Sequence, residues 1–235
     1  MFSRSAELYD AIYATFKNYA AEAATIASLV RGAAPEARTI LDVGCGTGEH
    51  AKHLRMTHGF EVDGLDLDPG LLAVARAKVP AARFFEADMA DFDLETRYDV
   101  VMCLFSSIGY LRTLDRVTGA LRCFRRHLAA GGVVIVEPWF APGVLRVGRG
   151  GEAKRGEAAG MRVERTYTTT VDGRQSTLVF DYRIEDASGV RYEQEVHELG
   201  LFTEAEMLAS FRDAGLTATH DPEGLIGRGL YIART

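Results

Sequence analysis

Cysteine is scarce in this chain of 235 residues: Cys45, Cys103 and Cys123, with no Cys-x-x-Cys pair among them. A disulfide framework is excluded, and an odd, sparse set of thiols points to a reducing compartment, the cytoplasm. Basic residues are outnumbered, 27 Lys and Arg against 33 Asp and Glu, for a net charge of −6. With no long basic run, a nucleic-acid partner is not expected. No apolar stretch is long enough to span a bilayer, so no membrane partner is expected either. Met1–Glu7 lacks the apolar core of a signal peptide. No His/Cys cluster has ligand spacing, so no metal is expected.

What is present is a hydrophobic content of 47%. That is enough for a sizeable core in one α/β domain with an insertion. Strand-like and helix-like stretches alternate from Thr39 to Pro138, which predicts a doubly wound, mostly parallel sheet. The first strand, ending at Asp42-Val43, runs into Gly44-Cys45-Gly46-Thr47-Gly48, and Ala51–Met56 after it reads as helix. Glycines let the backbone turn tightly and approach a ligand. The second strand, Phe60–Asp66, ends in an acid that can accept ribose hydroxyls. Pro69 then opens a helix with Asp68 as its N-cap. The third strand, Ala82–Glu86, leads into Asp88-Met89, where Asp88 could also be a simple cap. Tyr98–Leu104 is the fourth strand. A helix over Asp115–Leu128 is expected to stop at Ala-Ala-Gly131-Gly132, before a fifth strand, Val133–Val136.

Around this core, Ser5–Val30 reads as helix, interrupted near Thr15–Asn18, with Tyr9, Tyr13, Phe16 and Tyr19 as an aromatic stripe. Such a stripe is core or the mouth of a pocket. After Trp139 the composition shifts. Ala141–Gly160 is rich in glycine and charge and reads as a mobile loop. Three strand-like runs follow, Met161–Val171, Gln175–Ile184 and Val190–Leu201, with turns at Asp172-Gly173 and Asp186–Gly189. Val163, Tyr167, Leu178, Phe180, Tyr182 and Tyr192 should form the apolar face of a small antiparallel sheet. A capping box at Thr203–Glu206 starts a last helix, Gly215 stops it, and Leu216–His220 and Gly229–Ala233 supply two more strands. The expected division is a core of 1–140 and 202–235 with an inserted lid of 141–201. An exposed edge on the lid sheet admits a homodimer.

The glycine loop alone leaves a nicotinamide dinucleotide open. Its spacing, G-x-G-x-G with Asp42 two residues ahead, resembles motif I of the class I S-adenosylmethionine (SAM) methyltransferases, whose fold has a mostly parallel seven-stranded sheet. Asp66 and Asp88-Met89 extend the likeness. The resemblance implies that backbone amides at Gly44, Cys45, Gly46 and Gly48 meet the methionine carboxylate. It puts Asp42 at the ammonium, Asp66 at the ribose, Asp88 at the adenine amino group and Met89 over the ring. Tyr19, Leu67, Leu104 and Phe105 complete the expected cofactor contacts, and S-adenosylhomocysteine (SAH) is the expected product.

A narrower likeness lies in Tyr9-Asp10, Lys17–Ala23, Phe105–Gly109, Val136–Trp139 and Gly227–Leu230. These segments resemble the N,N-dimethyltransferases of nucleotide-linked amino sugars, such as dTDP-desosamine and mycaminose precursors in macrolide antibiotic pathways. The pattern departs from that family at Phe140 and at Gly224–Ile226. The resemblance implies a small-molecule acceptor held by Tyr13, Ser107, Tyr110, Trp139 and Arg228. Tyr13, Tyr110, His197 and Glu137 are the candidates to take the amine proton, with Tyr110 also readable as a packing aromatic, His197 as a structural histidine, and Glu137 as structural or substrate-orienting instead of a base. His50, His53, His58 and His127 read as surface or helix residues. Arg228, between two glycines, has room to swing over the site and meet a diphosphate, or else pairs with Glu223. Two other readings stay open: a different amine, hydroxyl or carboxylate acceptor, and a SAM-binding module without turnover.

Overall fold

The structure, a computed structural model, describes residues 6–158 and 160–235. The expected helix start at Ser5 and most of the Met1–Glu7 stretch fall outside them. Helix α1 (Ala6–Tyr13) breaks before α2 (Tyr19–Ala33), where the Asn18 side chain caps the new helix by accepting from the Ala21 N–H at 3.0 Å. The core then alternates as the sequence implies: β1 (Thr39–Val43), α3 (Glu49–His58), β2 (Glu61–Asp66), α4 (Pro69–Lys78), β3 (Phe84–Glu86), β4 (Tyr98–Cys103), α5 (Leu114–Arg126) and β5 (Leu128–Val136). Past β5 come β6 (Gly148–Arg149), β7 (Lys154–Ala158), β8 (Met161–Asp172), β9 (Gln175–Asp186) and β10 (Gly189–Gly200). The chain closes with α6 (Glu204–Asp213), β11 (Thr217–Asp221) and β12 (Leu230–Arg234).

Seven strands form one sheet in the order β11-β12-β5-β4-β1-β2-β3. The pairs from β5 to β3 are parallel, while β12 runs antiparallel to β5 and β11 to β12. β1 sits between β2 and β4 and is buried from Ile40 on, which is why its residues are apolar on both faces. Val117, Leu121, Phe124 and Phe211 of α5 and α6 pack one face; Ile26, Val30 and Leu54 of α2 and α3 pack the other.

Two boundaries depart from the sequence expectation. α5 ends at Arg126, because the His127 N–H bonds back to the last-turn carbonyls and its Nδ1 lies 2.7 Å from the Cys123 carbonyl. His127 is 1% exposed and its Nε2 accepts from the Leu94 N–H, so it is a buried strut, not a surface residue. His50 is buried too. Gly131 and Gly132 therefore lie inside β5, where the register against β4 shifts.

The second sheet is antiparallel, in the order β10-β9-β8-β6, with β7 also on β8. Asp172 pairs with Gln175 and Asp186 with Gly189, so both hairpins close with two-residue turns where expected. The stretch 141–160 is not all loop, because β6 and β7 borrow the free edge of β8. Gly156 follows from packing: a Cβ there would stand 2.4 Å from the Ala11 carbonyl oxygen of α1. Leu8 and Ile12 of α1 share a core with Val163, Leu178 and Phe180 of this sheet. Tyr192 leaves the expected apolar face. The inward positions of β10 are Glu195, His197 and Leu199, and Tyr192 alternates outward, 76% exposed. Among the described residues no helix is long and apolar enough to cross a membrane.

Candidate active site

A cavity of 1320 Å³ lies between the carboxyl ends of the core strands and the inner face of the second sheet. On the core side the loop after β1 sets its shape. Gly44 has φ +73°, and a Cβ there would come within 2.7 Å of the Ser107 side chain. Gly46 has φ +56°, and a Cβ there would meet nothing within 4 Å, so its backbone faces open space. The Gly46 N–H donates to Asp66 Oδ2 at 2.8 Å, and the Asp68 N–H donates to Asp66 Oδ1 at 3.0 Å. Asp66 is thus fixed on the wall with a lone pair left on each oxygen. Burial raises its carboxyl and these backbone bonds oppose the rise.

Asp42, at the end of β1, is 1% exposed, and its Oδ2 has no hydrogen-bond partner. Burial pushes its carboxyl up to about 6, against the pull of His50 and Lys17 and with the charge of Asp66 adding to the rise. Asp88 is on the wall and also serves as a cap. Its Oδ1 accepts from the Ala90 N–H at 2.9 Å, and its Oδ2 meets Arg116 at 2.7 Å. Leu67, Met89 and Phe105 line the cavity as expected.

Five expected cofactor contacts lie off the wall, the buried Asp42 first among them. The Cys45 side chain packs with Leu72, Ala75 and Phe84, and burial raises its thiol well above the usual range. Gly48 is the left-handed cap of α3, closed in by Ala75 and Phe84. Leu104 belongs to the core. Tyr19 stands edge-on to His50, 5.2 Å between ring centroids.

On the acceptor side, Tyr13, Ser107, Tyr110, Trp139, His197 and Arg228 all line the cavity. Tyr13 is buried between the stacked Tyr9 ring at 4.2 Å and the edge of Phe105 at 5.5 Å. The Tyr110 hydroxyl is 2.9 Å from His197 Nδ1. His197 Nε2 stands 3.6 Å from Glu195 Oε2, which accepts from the Tyr182 hydroxyl at 3.0 Å. Burial raises the phenols of Tyr13 and Tyr110. Trp139 Nε1 donates to Ser176 Oγ at 2.9 Å, tying the β5 exit to the second sheet.

Glu137 does not reach the cavity, which leaves its structural reading, as a strut, and removes that of proton acceptor. Its Oε2 accepts from the Phe105 N–H at 2.7 Å, and its Oε1 lies 3.5 Å from Arg228 Nη2. The first contact holds a strained turn, since Phe105 and Ser106 have φ of 51° and 63° without being glycine. The Ser106 hydroxyl donates to the Pro138 carbonyl at 2.7 Å and closes the same turn. Arg228 is not swinging over the site. It faces Glu137 instead of Glu223, and its guanidinium carbon lies 5.1 Å from the Phe105 ring centroid and 5.7 Å from that of Trp139.

Sequence reasoning missed Lys17, Arg165 and Glu195 as functional side chains. Lys17 Nζ sits 3.5 Å from the Phe105 ring centroid and 2.9 Å from Glu22, whose carboxylate also meets His50. Burial lowers its ammonium and Glu22 opposes the drop. Arg165 occupies an inward strand position between Val163 and Tyr167, a break in alternation that was the available signal, whereas Glu195 stands inward between Glu193 and His197 and carries no such signal. Among the described residues no group of three or more His, Cys, Asp or Glu could hold a metal ion.

Residues 40–132 match the family model described as a methyltransferase domain. The chain is 38% identical over 97% of its length, and 96% of the relative's, to the dTDP-3-amino-3,4,6-trideoxy-alpha-D-glucopyranose N,N-dimethyltransferase of Streptomyces venezuelae. It is 37% identical over 97% of its length, and 91% of the relative's, to the dTDP-4-amino-2,3,4,6-tetradeoxy-D-glucose N,N-dimethyltransferase of Saccharopolyspora spinosa. Among solved structures it resembles a SAM-bound amino pentose methyltransferase of Micromonospora echinaspora involved in calicheamicin biosynthesis. The TM-score there is 0.85 at 38% identity, over 96% of this chain and 95% of the other.

Proposed function

Because this chain belongs to the family of SAM-dependent methyltransferases that includes the dTDP-amino-sugar N,N-dimethyltransferases, we propose that its acceptor is the amino group of a nucleotide-linked deoxyaminosugar. One observation carries the reading. The likeness runs past the methyltransferase domain through the second sheet, which builds the acceptor wall of the cavity.

The residues present fit SAM. The lone pairs of Asp66 suit ribose hydroxyls and the unpartnered Oδ2 of Asp42 suits an ammonium, while the amides expected to meet the methionine carboxylate already donate within the protein, Gly44 and Cys45 to the Leu65 carbonyl, Gly46 to Asp66 and Gly48 to the Cys45 carbonyl. Asp42, Gly46, Asp66 and Met89 would hold the cofactor, with Lys17 near the methionine end. When bound, SAM supplies an electrophilic methyl group on a sulfonium. The protein's own task is to hold a neutral amine in line and keep water out, and positioning of that kind can lower a barrier by roughly 7–11 kcal/mol. The Tyr110–His197–Glu195 chain offers the amine proton a route away from the cavity. With Nε2–H turned towards Glu195, His197 Nδ1 accepts from the Tyr110 hydroxyl, and the phenol oxygen keeps lone pairs for the amine.

The lid reading supposes that 141–201 covers the acceptor, and α1 belongs with it, since it packs on β7 and β8. The exposed edge of β10, with Val190, Tyr192 and Val196 turned outward, supports a homodimer. Three buried free thiols suit a reducing compartment.

The test is transfer of an isotope-labelled methyl group from SAM to dTDP-amino sugars, beside calorimetry of SAH binding. Label should appear on the sugar nitrogen, and Asp66→Ala should abolish SAH binding. Transfer to other amines, with none to any amino-sugar nucleotide, would reject this acceptor and leave the methyltransferase standing.

A further inference from the structure

α1 has 8 residues, fewer than the about 12–15 at which an isolated helix is even marginal in water. The break at 14–18 separates it from α2. What holds it is tertiary, and three of its faces have different partners. Leu8 and Ile12, one turn apart, are buried in the core of the second sheet, and the Ala11 carbonyl lies against Gly156 of β7. Tyr9 and Tyr13, the next pair round, line the cavity beside Gly44, Gly46 and Asp66. Asp10, about 100° further round the helix, faces the core. Its Oδ1 accepts from the Thr47 hydroxyl at 2.5 Å, and its Oδ2 accepts from Lys78 Nζ at 2.6 Å.

Thr47 is 2% exposed and stands inside the glycine loop after β1, between Gly46, whose N–H donates to Asp66, and Gly48, the cap of α3. Lys78 ends α4 and also meets Glu49 Oε1, in the first turn of α3, at 2.7 Å. Burial raises the Glu49 carboxyl, and the hydrogen bond and charge of Lys78 overcome that rise and hold it below its usual range. One carboxylate on α1 thus gathers the glycine loop, the end of α4 and, through Lys78, the start of α3. Ion pairs in open solvent contribute little. This one differs, because its hydroxyl partner is buried and both bonds are charge-assisted. Leu8 and Ile12 dock α1 on the second sheet, and Asp10 ties the same short helix to the cofactor side. A ligand in the crevice between Gly46 and Tyr9 touches α1 only while the helix is down, which is the differential contact that coupling requires.

We propose that α1 is a clasp between the glycine loop and the acceptor wall, and that Asp10 is the positioning residue that closes it. With the cofactor crevice filled, α1 is held down on the loop, and Leu8 and Ile12 hold β7 and β8 in place behind it. The acceptor wall is then firm only beside a loaded cofactor site, so cofactor binds first and acceptor second. Linkage is reciprocal: an acceptor that firms the wall tightens cofactor binding by the same factor. The inference rests on the second sheet being the acceptor wall and not on which amine it receives.

The experiment is hydrogen exchange read by mass spectrometry on the full chain, free and saturated with SAH, beside calorimetry of SAH binding. The proteins are wild type, Asp10→Ala, Asp10→Asn and Lys78→Met. No acceptor enters, so a negative result strikes the clasp and leaves the acceptor reading to the label-transfer test. In wild type, SAH should slow exchange at the start of α3, in α1 and in the β7–β8 pair. Asp10→Ala should keep the first effect and lose the gain in β7–β8, with SAH affinity down by about five- to thirty-fold. Asp10→Asn keeps an acceptor for Thr47 and should fall between. Lys78→Met frees the other carboxylate oxygen from the far end of the network, should lose the same gain in part, and carries the test if Asp10→Ala folds poorly. A merely structural Asp10 would lower protection equally with and without SAH, and that pattern would overturn the proposal. So would a wild-type gain in β7–β8 in folded Asp10→Ala, or no effect of bound SAH on β7–β8 in wild type.

Discussion

Asp42 and Asp66 lie at the ends of neighbouring strands, look alike in sequence and are both raised by burial, yet they differ in what compensates that burial. Asp66 is held by two backbone N–H groups. Asp42 is buried with one oxygen unpartnered, and its carboxyl is pushed from 3.8 to about 6. Between those values the unfolded chain is ionised at this residue and the folded chain is protonated. Unfolding then releases a proton, so stability falls as pH rises, and the full cost is in place above the folded value. At 1.36 kcal/mol per unit that cost is about 3 kcal/mol. Thermal melts of cofactor-free wild type and Asp42→Asn from about pH 4 to 8 should diverge, the variant gaining on the wild type as pH rises through this window. Saturating SAH should close the gap, because an ammonium beside the ionised carboxylate offsets its burial. A difference that stays constant with pH would show that Asp42 is already compensated. Such a distinction was not legible in the sequence, which gives the residue and its strand end but not its partners. For Glu137 a structural role was readable from its place at a strand end, but the contact it makes was not, since that depends on the left-handed turn at Phe105-Ser106.

At the scale of elements, legibility followed how local the cause was. The α6 capping box was readable because Thr203 and Glu206 are three residues apart, and both of its hydrogen bonds are present. The hairpins were readable because two-residue turns carry their own signal. The end of α5 was misread because glycine is the commoner stop and His127 does the work through Leu94, distant in sequence. β6 and β7 were missed because their hydrogen bonds are supplied by β8, and because Gly156 of β7 is required by the approach of α1. A local cause also gives a clean prediction. Thr203→Ala removes the cap and should cost about 1 kcal/mol, lowering Tm by about 2–4 °C in a chain of this size. Thr203→Ser should restore most of it. Equal melting of all three proteins would mean that the packing of α6, with Phe211 fully buried, holds the helix without its cap.

The whole molecule is organised around the seam between its two sheets, and Arg228 sits at that seam. It enters from the loop before β12, faces Glu137 from β5, and stacks near Phe105 from β4 and Trp139, which is itself bonded to Ser176 on β9. On the proposed reading an acidic protein takes an anionic acceptor and needs cations where that acceptor lies, and Arg228 lines the cavity. Arg228 could equally be a strut that keeps three strand exits in register. The two roles separate in kinetics. As an acceptor contact, Arg228→Ala should raise KM for a dTDP-amino sugar by about ten- to a hundred-fold, the value of a charged hydrogen bond, and leave SAH affinity and Tm close to wild type. As a strut, its loss would free Glu137 and with it the Phe105 N–H, disturb the turn that lines the cofactor side, and weaken SAH binding along with KM. Parallel loss of both affinities would therefore remove Arg228 from acceptor recognition. A change confined to KM would put the recognition of the sugar's phosphate at the seam between the two sheets.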